Sequence, residues 1–222
     1  MNRIDRKPIW SWALYDWANS AFATVVMAGF FPIFFKQFWS AGVSVTESTY
    51  HLGVINSVAS LIVVLLSPIL CAIADQLGRR KGLLMLFACL GAVTTGGLYW
   101  VAQGQWQLAA WLYVCAVIGF SGANLFYDAL LPVVAPRSWL DRVSALGFAM
   151  GYLGGGVLFA INVWMTLSPQ TFGLADAAEA VRVAFILTAC WWLVFSLPLL
   201  LFVDEPSNRK MGVREAVGGG FL

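Results

Sequence analysis

Charge is scarce in this chain of 222 residues: Asp, Glu, Lys and Arg together make up 11% of it, against about 25% in an ordinary soluble domain. There is one histidine, His51, and there are four cysteines. Cys71, Cys89, Cys115 and Cys190 stand singly in apolar stretches with no CxxC pair among them. That spacing excludes a zinc ribbon or a dithiol redox motif, and it leads us to expect small buried hydrophobes with no disulfide and no metal. H-E-x-x-H, G-x-S-x-G and nucleotide-binding loops are missing as well. With so little length left outside apolar stretches, the chain has no room for a soluble catalytic domain. It is expected not to be an enzyme, to need no cofactor, and not to bind nucleic acid.

What is abundant is apolar surface. Hydrophobic residues form 60% of the sequence and lie in long runs. A bilayer core about 30 Å thick asks for about 20 such residues per helix. Six spans can be placed, at Ser11–Phe38, Leu52–Ala74, Gly82–Ala102, Leu108–Val134, Val143–Met165 and Val181–Val203. They are read as helices, because in lipid each backbone N–H and C=O must find its partner within the segment and the alternation of barrel strands is absent. The first run contains Asp16 and Asn19 and continues past Phe35, too long and too polar for a cleaved signal. The fold expected is an all-α membrane bundle over residues 1–203, with 204–222 opening a cytoplasmic loop.

The basic residues set the orientation. With the N-terminus in the cytoplasm, all of the 13 Lys and Arg except Lys36 and Arg182 fall in inside segments, as the positive-inside rule requires. Both termini are therefore expected inside, in a multi-pass protein of the plasma (inner) membrane. Trp10, Trp12 and Trp139 fall near the inner interface, and Trp39, Trp106 and Trp164 near the outer one, which reads as an aromatic belt.

The loop after the second span reads Asp75-Gln76-Leu77-Gly78-Arg79-Arg80-Lys81. Gly78 permits a tight reversal, and Asp75 can pair with the arginines to hold it. This loop resembles the cytoplasmic signature of the major facilitator superfamily, G-x-x-x-D-R-x-G-R-[RK]. Asp75, Gly78, Arg79 and Arg80 match it, while Cys71 and Gln76 depart from it. The first span, with Tyr15-Asp16-Trp17-Ala18-Asn19-Ser20, resembles the opening of one branch, the unidentified major facilitator family that includes the autophagy-related vacuole effluxers. The resemblance implies the N-terminal six-helix half of a secondary transporter, built as a 3+3 repeat and completed by a missing C-terminal half or by a second copy of the chain. It implies a small-molecule substrate, and in the vacuolar branch amino-acid or related metabolite efflux.

Polar residues inside spans point to a site. An aspartate at a helix centre costs about 2.5–3.5 kcal/mol to insert, so an intramembrane carboxylate is a functional candidate. At about 100° per residue, Asp16, Asn19, Ser20, Ala23 and Met27 share one stripe of the first span. Ser121, Asn124 and Asp128 share a face of the fourth, and Asn56, Ser60 and Ser67 one of the second. The resemblance places the first and fourth helices at the central cavity, which makes Asp16, Asn19, Ser20, Asn124 and Asp128 the candidates for binding substrate or a coupling proton. Gly147, Gly151 and Gly155 form a small-xxx-small ridge for helix packing. With Tyr152 in place of proline, this stretch also resembles an antiporter signature. His51 is expected at the surface. The competing reading is a non-transporting scaffold that binds a membrane partner through the glycine ridge.

The orientation is directly testable. A cysteine placed at Ser44 in a cysteine-free background is expected to react with an impermeant thiol reagent on intact cells, and one placed at Ser207 is not. Labelling at Ser207 without labelling at Ser44 reverses the assignment.

Overall fold

The computed structural model describes residues 6–77 and 79–205. Six helices are long and apolar enough to cross a membrane, and the described residues contain no strand. They are α1 (Lys7–Trp39), α2 (Val45–Leu77), α3 (Arg80–Trp100), α4 (Trp106–Val134), α5 (Leu140–Leu167) and α6 (Ala177–Phe202). The expected loop residue Gly78 and the tail from residue 206, with Ser207, Arg209, Lys210 and Arg214, lie outside the described residues. Helix α2 starts seven residues before its expected span, at Val45 rather than Leu52. Hydropathy marks only the immersed stretch, and this helix continues through the polar Thr46–Tyr50 segment, where water can solvate its side chains. Within α1, the turns at Phe22–Phe30 and Phe35–Trp39 are wound more widely, in π-helical fashion. Pro68, Pro132 and Pro198 lie inside α2, α4 and α6.

The helices form two layers. The front layer runs α2, α4, α1, α5 side by side, while α3 packs behind α4, α6 packs behind α1, and α3 and α6 touch each other. Exchanging α1 with α4, α2 with α5 and α3 with α6 reproduces this pattern. Because successive spans alternate in direction, the exchanged helices run oppositely, which is the inverted 3+3 repeat found within major facilitator halves.

Glycine sets how closely the layers approach. A Cβ on Gly119 of α4 would stand 2.6 Å from the Gly91 Cα and 2.7 Å from the Phe87 carbonyl of α3. Gly91 in turn faces the Trp192 ring of α6 and leaves it room. The back layer is also tied at both ends. On one side the Arg182 Nε donates to the Tyr99 carbonyl at 2.7 Å, and its guanidinium lies 4.8 Å over the Tyr99 ring. On the other, the Glu205 carboxylate accepts the N–H groups of Arg80 (2.7 Å) and Lys81 (3.1 Å). The Lys81 Nζ returns the contact by donating to the carbonyls of Leu200 (3.1 Å) and Val203 (2.7 Å). Helix ends leave N–H and C=O groups without intrahelical partners and carry partial charge. A carboxylate on the start of α3 and an ammonium on the end of α6 satisfy both needs. Helix α6 itself opens with Asp176 accepting from the Glu179 N–H at 2.8 Å, while Glu179 accepts from the Ala175 N–H, a variant of the capping box.

Two sequence expectations need correction, and a third is refined. The cysteines are free, but Cys71, Cys89 and Cys190 are exposed and Cys115 only half-buried. In a bilayer a small apolar side chain need not be inside the protein, because its surroundings are apolar on either side. Trp12 and Trp39 are buried inside the bundle and so do not form part of an outward-facing belt: their indole N–H groups donate to the carbonyls of Tyr127 and Val101. His51 is half-buried and stacks on Trp106, with ring centres 4.1 Å apart.

The glycine contacts predict a contrast. Adding a methyl at Gly119, where backbone stands in the way, is expected to cost about 1–3 kcal/mol. Gly156 has nothing within 4 Å of its would-be Cβ. Thermal unfolding of the purified chain should therefore show Gly119→Ala melting several degrees below Gly156→Ala, with the latter close to the unsubstituted protein.

Candidate functional site

Helix α1 holds the centre of the front layer, with α4 on one flank, α5 on the other and α6 behind. Trp17 turns backward, stacks on Trp191 of α6 with centroids 5.6 Å apart, and accepts the Trp191 indole N–H at its carbonyl. The neighbouring stripe faces α5. Asp16 and Ser20 are half-buried, the Ser20 hydroxyl donates to Asp16 Oδ1 at 2.9 Å, and the Thr24 hydroxyl donates to the Ser20 carbonyl at 2.9 Å.

The glycine ridge of α5 lies directly against this stripe. A Cβ on Gly151 would stand 2.6 Å from the Ser20 hydroxyl and 2.8 Å from Asp16 Oδ1. One on Gly155 would stand 2.5 Å from the Thr24 hydroxyl, and one on Gly147 would stand 2.7 Å from the Tyr127 hydroxyl. Three successive turns of α5 thus make room for polar atoms of α1 and α4. Next to the ridge an open pocket of about 260 Å³ is lined by Asp16, Ser20, Ala23, Thr24, Phe148, Gly151 and Tyr152.

The other polar candidates are distributed around this notch. Asn19 is buried and turns to α4, where its Nδ2 donates to Asn124 Oδ1 at 2.5 Å. The two amides join α1 to α4 and do not line the pocket. Asp128 is exposed on α4 and within electrostatic reach of Asp16. Pro132, four residues on, brings no N–H to the Asp128 carbonyl. Between the two aspartates lies Tyr127, 5% exposed, stacked on Trp12 at 4.2 Å and tilted against Tyr15 at 5.2 Å. Its hydroxyl sits beside Asp16 without a formed hydrogen bond. On α2, Asn56 accepts from the Tyr113 hydroxyl of α4 at 3.2 Å, and Ser67 faces Ser121 across a narrow gap.

The signature loop is placed in part. Asp75 belongs to the last turn of α2, Arg79 precedes α3, and Arg80 begins it. The Arg80 Nη1 donates to the Ala129 carbonyl of α4 at 3.1 Å, so this arginine serves the end of a neighbouring helix. Among the described residues no group of three His, Cys, Asp or Glu could hold a metal ion. Sequence reasoning missed Thr24, Phe148 and Tyr152 at the pocket, Tyr127 buried beside Asp16, and Lys81 and Glu205 at the clamp. Glu205 did carry a signal, an acidic residue directly after a span end, where cations usually gather.

The family model described as vacuole effluxer Atg22 like matches residues 4–52 and 39–218. The MFS-type transporter YxiO of Bacillus subtilis is 38% identical over 197 residues, covering 88% of this chain and 46% of that protein. Multidrug resistance protein MdtG of Citrobacter koseri is 30% identical, over 90% of this chain and 46% of its own length. Autophagy-related protein 22 of Eremothecium gossypii is 22% identical, over 91% and 47%. The chain thus spans about half the length of the curated relatives it matches. No solved structure matches it. A six-span bundle with an inverted repeat, a signature loop and these relatives lead to one conclusion: the chain belongs to the Atg22-like vacuole effluxer family and corresponds to half of a major facilitator transporter.

Proposed function

We propose that the chain forms one wall of the substrate cavity of a secondary transporter that moves a small solute across a membrane. The observation that carries this reading is a membrane-embedded carboxylate, Asp16, opening on a pocket in the front layer of a major facilitator half. Transporter sites lie near the midplane between repeats, and α1 is the helix at the centre of that layer. The second wall comes from further transporter sequence or, in the second form of the proposal, from another copy of this chain about a two-fold axis. In this reading both ends of the bundle face the cytoplasm of a cell whose plasma membrane holds the protein. The family description, a vacuole effluxer, supports efflux as the direction; amino acids or related metabolites as the solute are part of the proposal.

In this mechanism Asp16 is the group that exchanges a proton or a substrate contact as access alternates. Ser20 holds one carboxylate oxygen, and Tyr127 stands ready beside it. Asp128, exposed on α4, takes a lesser part. In the complete transporter, Asp16→Asn is expected to lower pH-driven flux into liposomes by tenfold or more at matched protein levels, and to flatten its pH dependence. Asp128→Asn should lower it less. Full flux with an unchanged pH profile in Asp16→Asn removes Asp16 from the mechanism.

The half-cavity makes a second prediction. Reconstituted alone, the 222-residue chain is expected to show no saturable solute flux, because its front layer leaves the cavity open on one side. Saturable, substrate-specific flux from the lone chain would instead favour the homodimer.

A further inference from the structure

The Asp16 notch has chemistry of its own, beyond its place in a transporter. Its one charged lining residue is Asp16, and no lysine, arginine or histidine lines it. A carboxylate at membrane depth is stabilised by a cation, a proton or strong hydrogen bonds. Here the helix supplies one short donor, the Ser20 hydroxyl at 2.9 Å. A second donor, the Tyr127 hydroxyl, is buried in a side chain 5% exposed and remains unpartnered. The charged and titratable groups around the carboxyl are Asp128 and Tyr127 from α4, Tyr15 on its own helix and Tyr152 at the pocket edge on α5. None of them brings positive charge. The outer wall is aromatic: Phe148 and Tyr152 are 65% and 71% exposed and meet edge to face at 4.9 Å. Ring faces attract cations, and two uncovered aromatic rings beside a carboxylate make a cradle for an ammonium or similar head group.

We propose that this notch is a recognition site for organic cations, taking a positively charged head group against Asp16 and an attached apolar body against Phe148 and Tyr152. The proposal rests on the transporter reading for its role but not for its existence, since the notch is built wholly from this chain. A volume of about 260 Å³ lies just below the usual range of ligand pockets, about 300–1,000 Å³, so it suits a head group whose remainder extends into the wider cavity. Proton and cation then compete for one carboxylate. When the proton is bound the site is neutral and loses its hold on the cation, and when the cation is bound the proton is excluded. Exchange of the two across the membrane follows from that exclusion, without a second carboxylate.

The test uses a pair of ions of nearly the same shape and opposite charge, tetraphenylphosphonium and tetraphenylborate. Binding to the purified chain in nanodiscs is measured by equilibrium dialysis against empty nanodiscs. Saturable binding of the phosphonium is expected, with none of the borate, and it should weaken as pH is lowered. Asp16→Asn should weaken it tenfold or more. Tyr152→Ala, at an exposed position that does not hold the fold, should weaken it about two- to fivefold, with unfolding temperatures followed in parallel. Equal saturable binding of both ions, or phosphonium binding that neither variant changes, overturns the proposal. Absence of phosphonium binding overturns it too. In that case a loss of flux in Asp16→Asn of the complete transporter would still leave the transport reading standing, with Asp16 as a proton site only.

Discussion

The contact on which the front of this molecule depends is the approach of α5 to α1 across Gly147, Gly151 and Gly155. Lipid offers no hydrophobic drive to press helices together, so close backbone packing and hydrogen bonding must do it. At these three turns the missing side chains do two things at once. They bring α5 close enough to pack, and they leave space for Asp16, Ser20, Thr24 and the Tyr127 hydroxyl. A methyl at Gly151 would meet the very atoms that give the pocket its polarity. Packing and site are here one feature, and because the ridge is buried against α1 it is not open to a separate membrane partner, as the scaffold reading required.

The back layer is built on a different plan. Between α3 and α6 the middle is packed by Gly91 against Trp192, and the ends are tied by Arg182 on one side and by Glu205 with Lys81 on the other. Polar ties across the front seams include the Asn19–Asn124 pair, the Asn56–Tyr113 pair and the Trp12 indole on α4. Helix α2 is the least covered of the six, with Leu61, Val64 and Leu65 each about 60% exposed or more. The wider winding of α1 begins at Phe22, six residues beyond Asp16, and takes in the pocket residues Ala23 and Thr24. Irregular winding of this kind is found often at functional positions. The molecule therefore pairs a firmly tied rear with a front where pocket and irregular helix lie together.

Much of this could be read from the sequence. Six spans, the loop signature and the placing of Asp16 follow from hydropathy, spacing and the cost of burying charge, because in a membrane those few rules are strict. Other features escaped because the same residue types serve more than one purpose. Trp12 and Trp39 have the composition of belt residues, and only three-dimensional packing puts their N–H groups on buried carbonyls. Asn19 lies on the Asp16 stripe by angle, yet a shift of one neighbour turns it from α5 to α4. Glu205 looked like the beginning of a loop, because a cap that comes from 125 residues away leaves no local pattern at the helix it completes.

That distance bears on how the protein is made. Membrane helices enter the bilayer in order as the ribosome delivers them, and α3 arrives with the leading N–H groups of Arg80 and Lys81 open. The carboxylate that covers them is not synthesised until the whole of α6 has been made, 125 residues later. Until then the start of α3 must keep its N–H groups in interfacial water, and Lys81 must wait for the carbonyls of Leu200 and Val203. The last described residue thus caps the first turn of the third helix, so that turn is completed only after all six spans have been made.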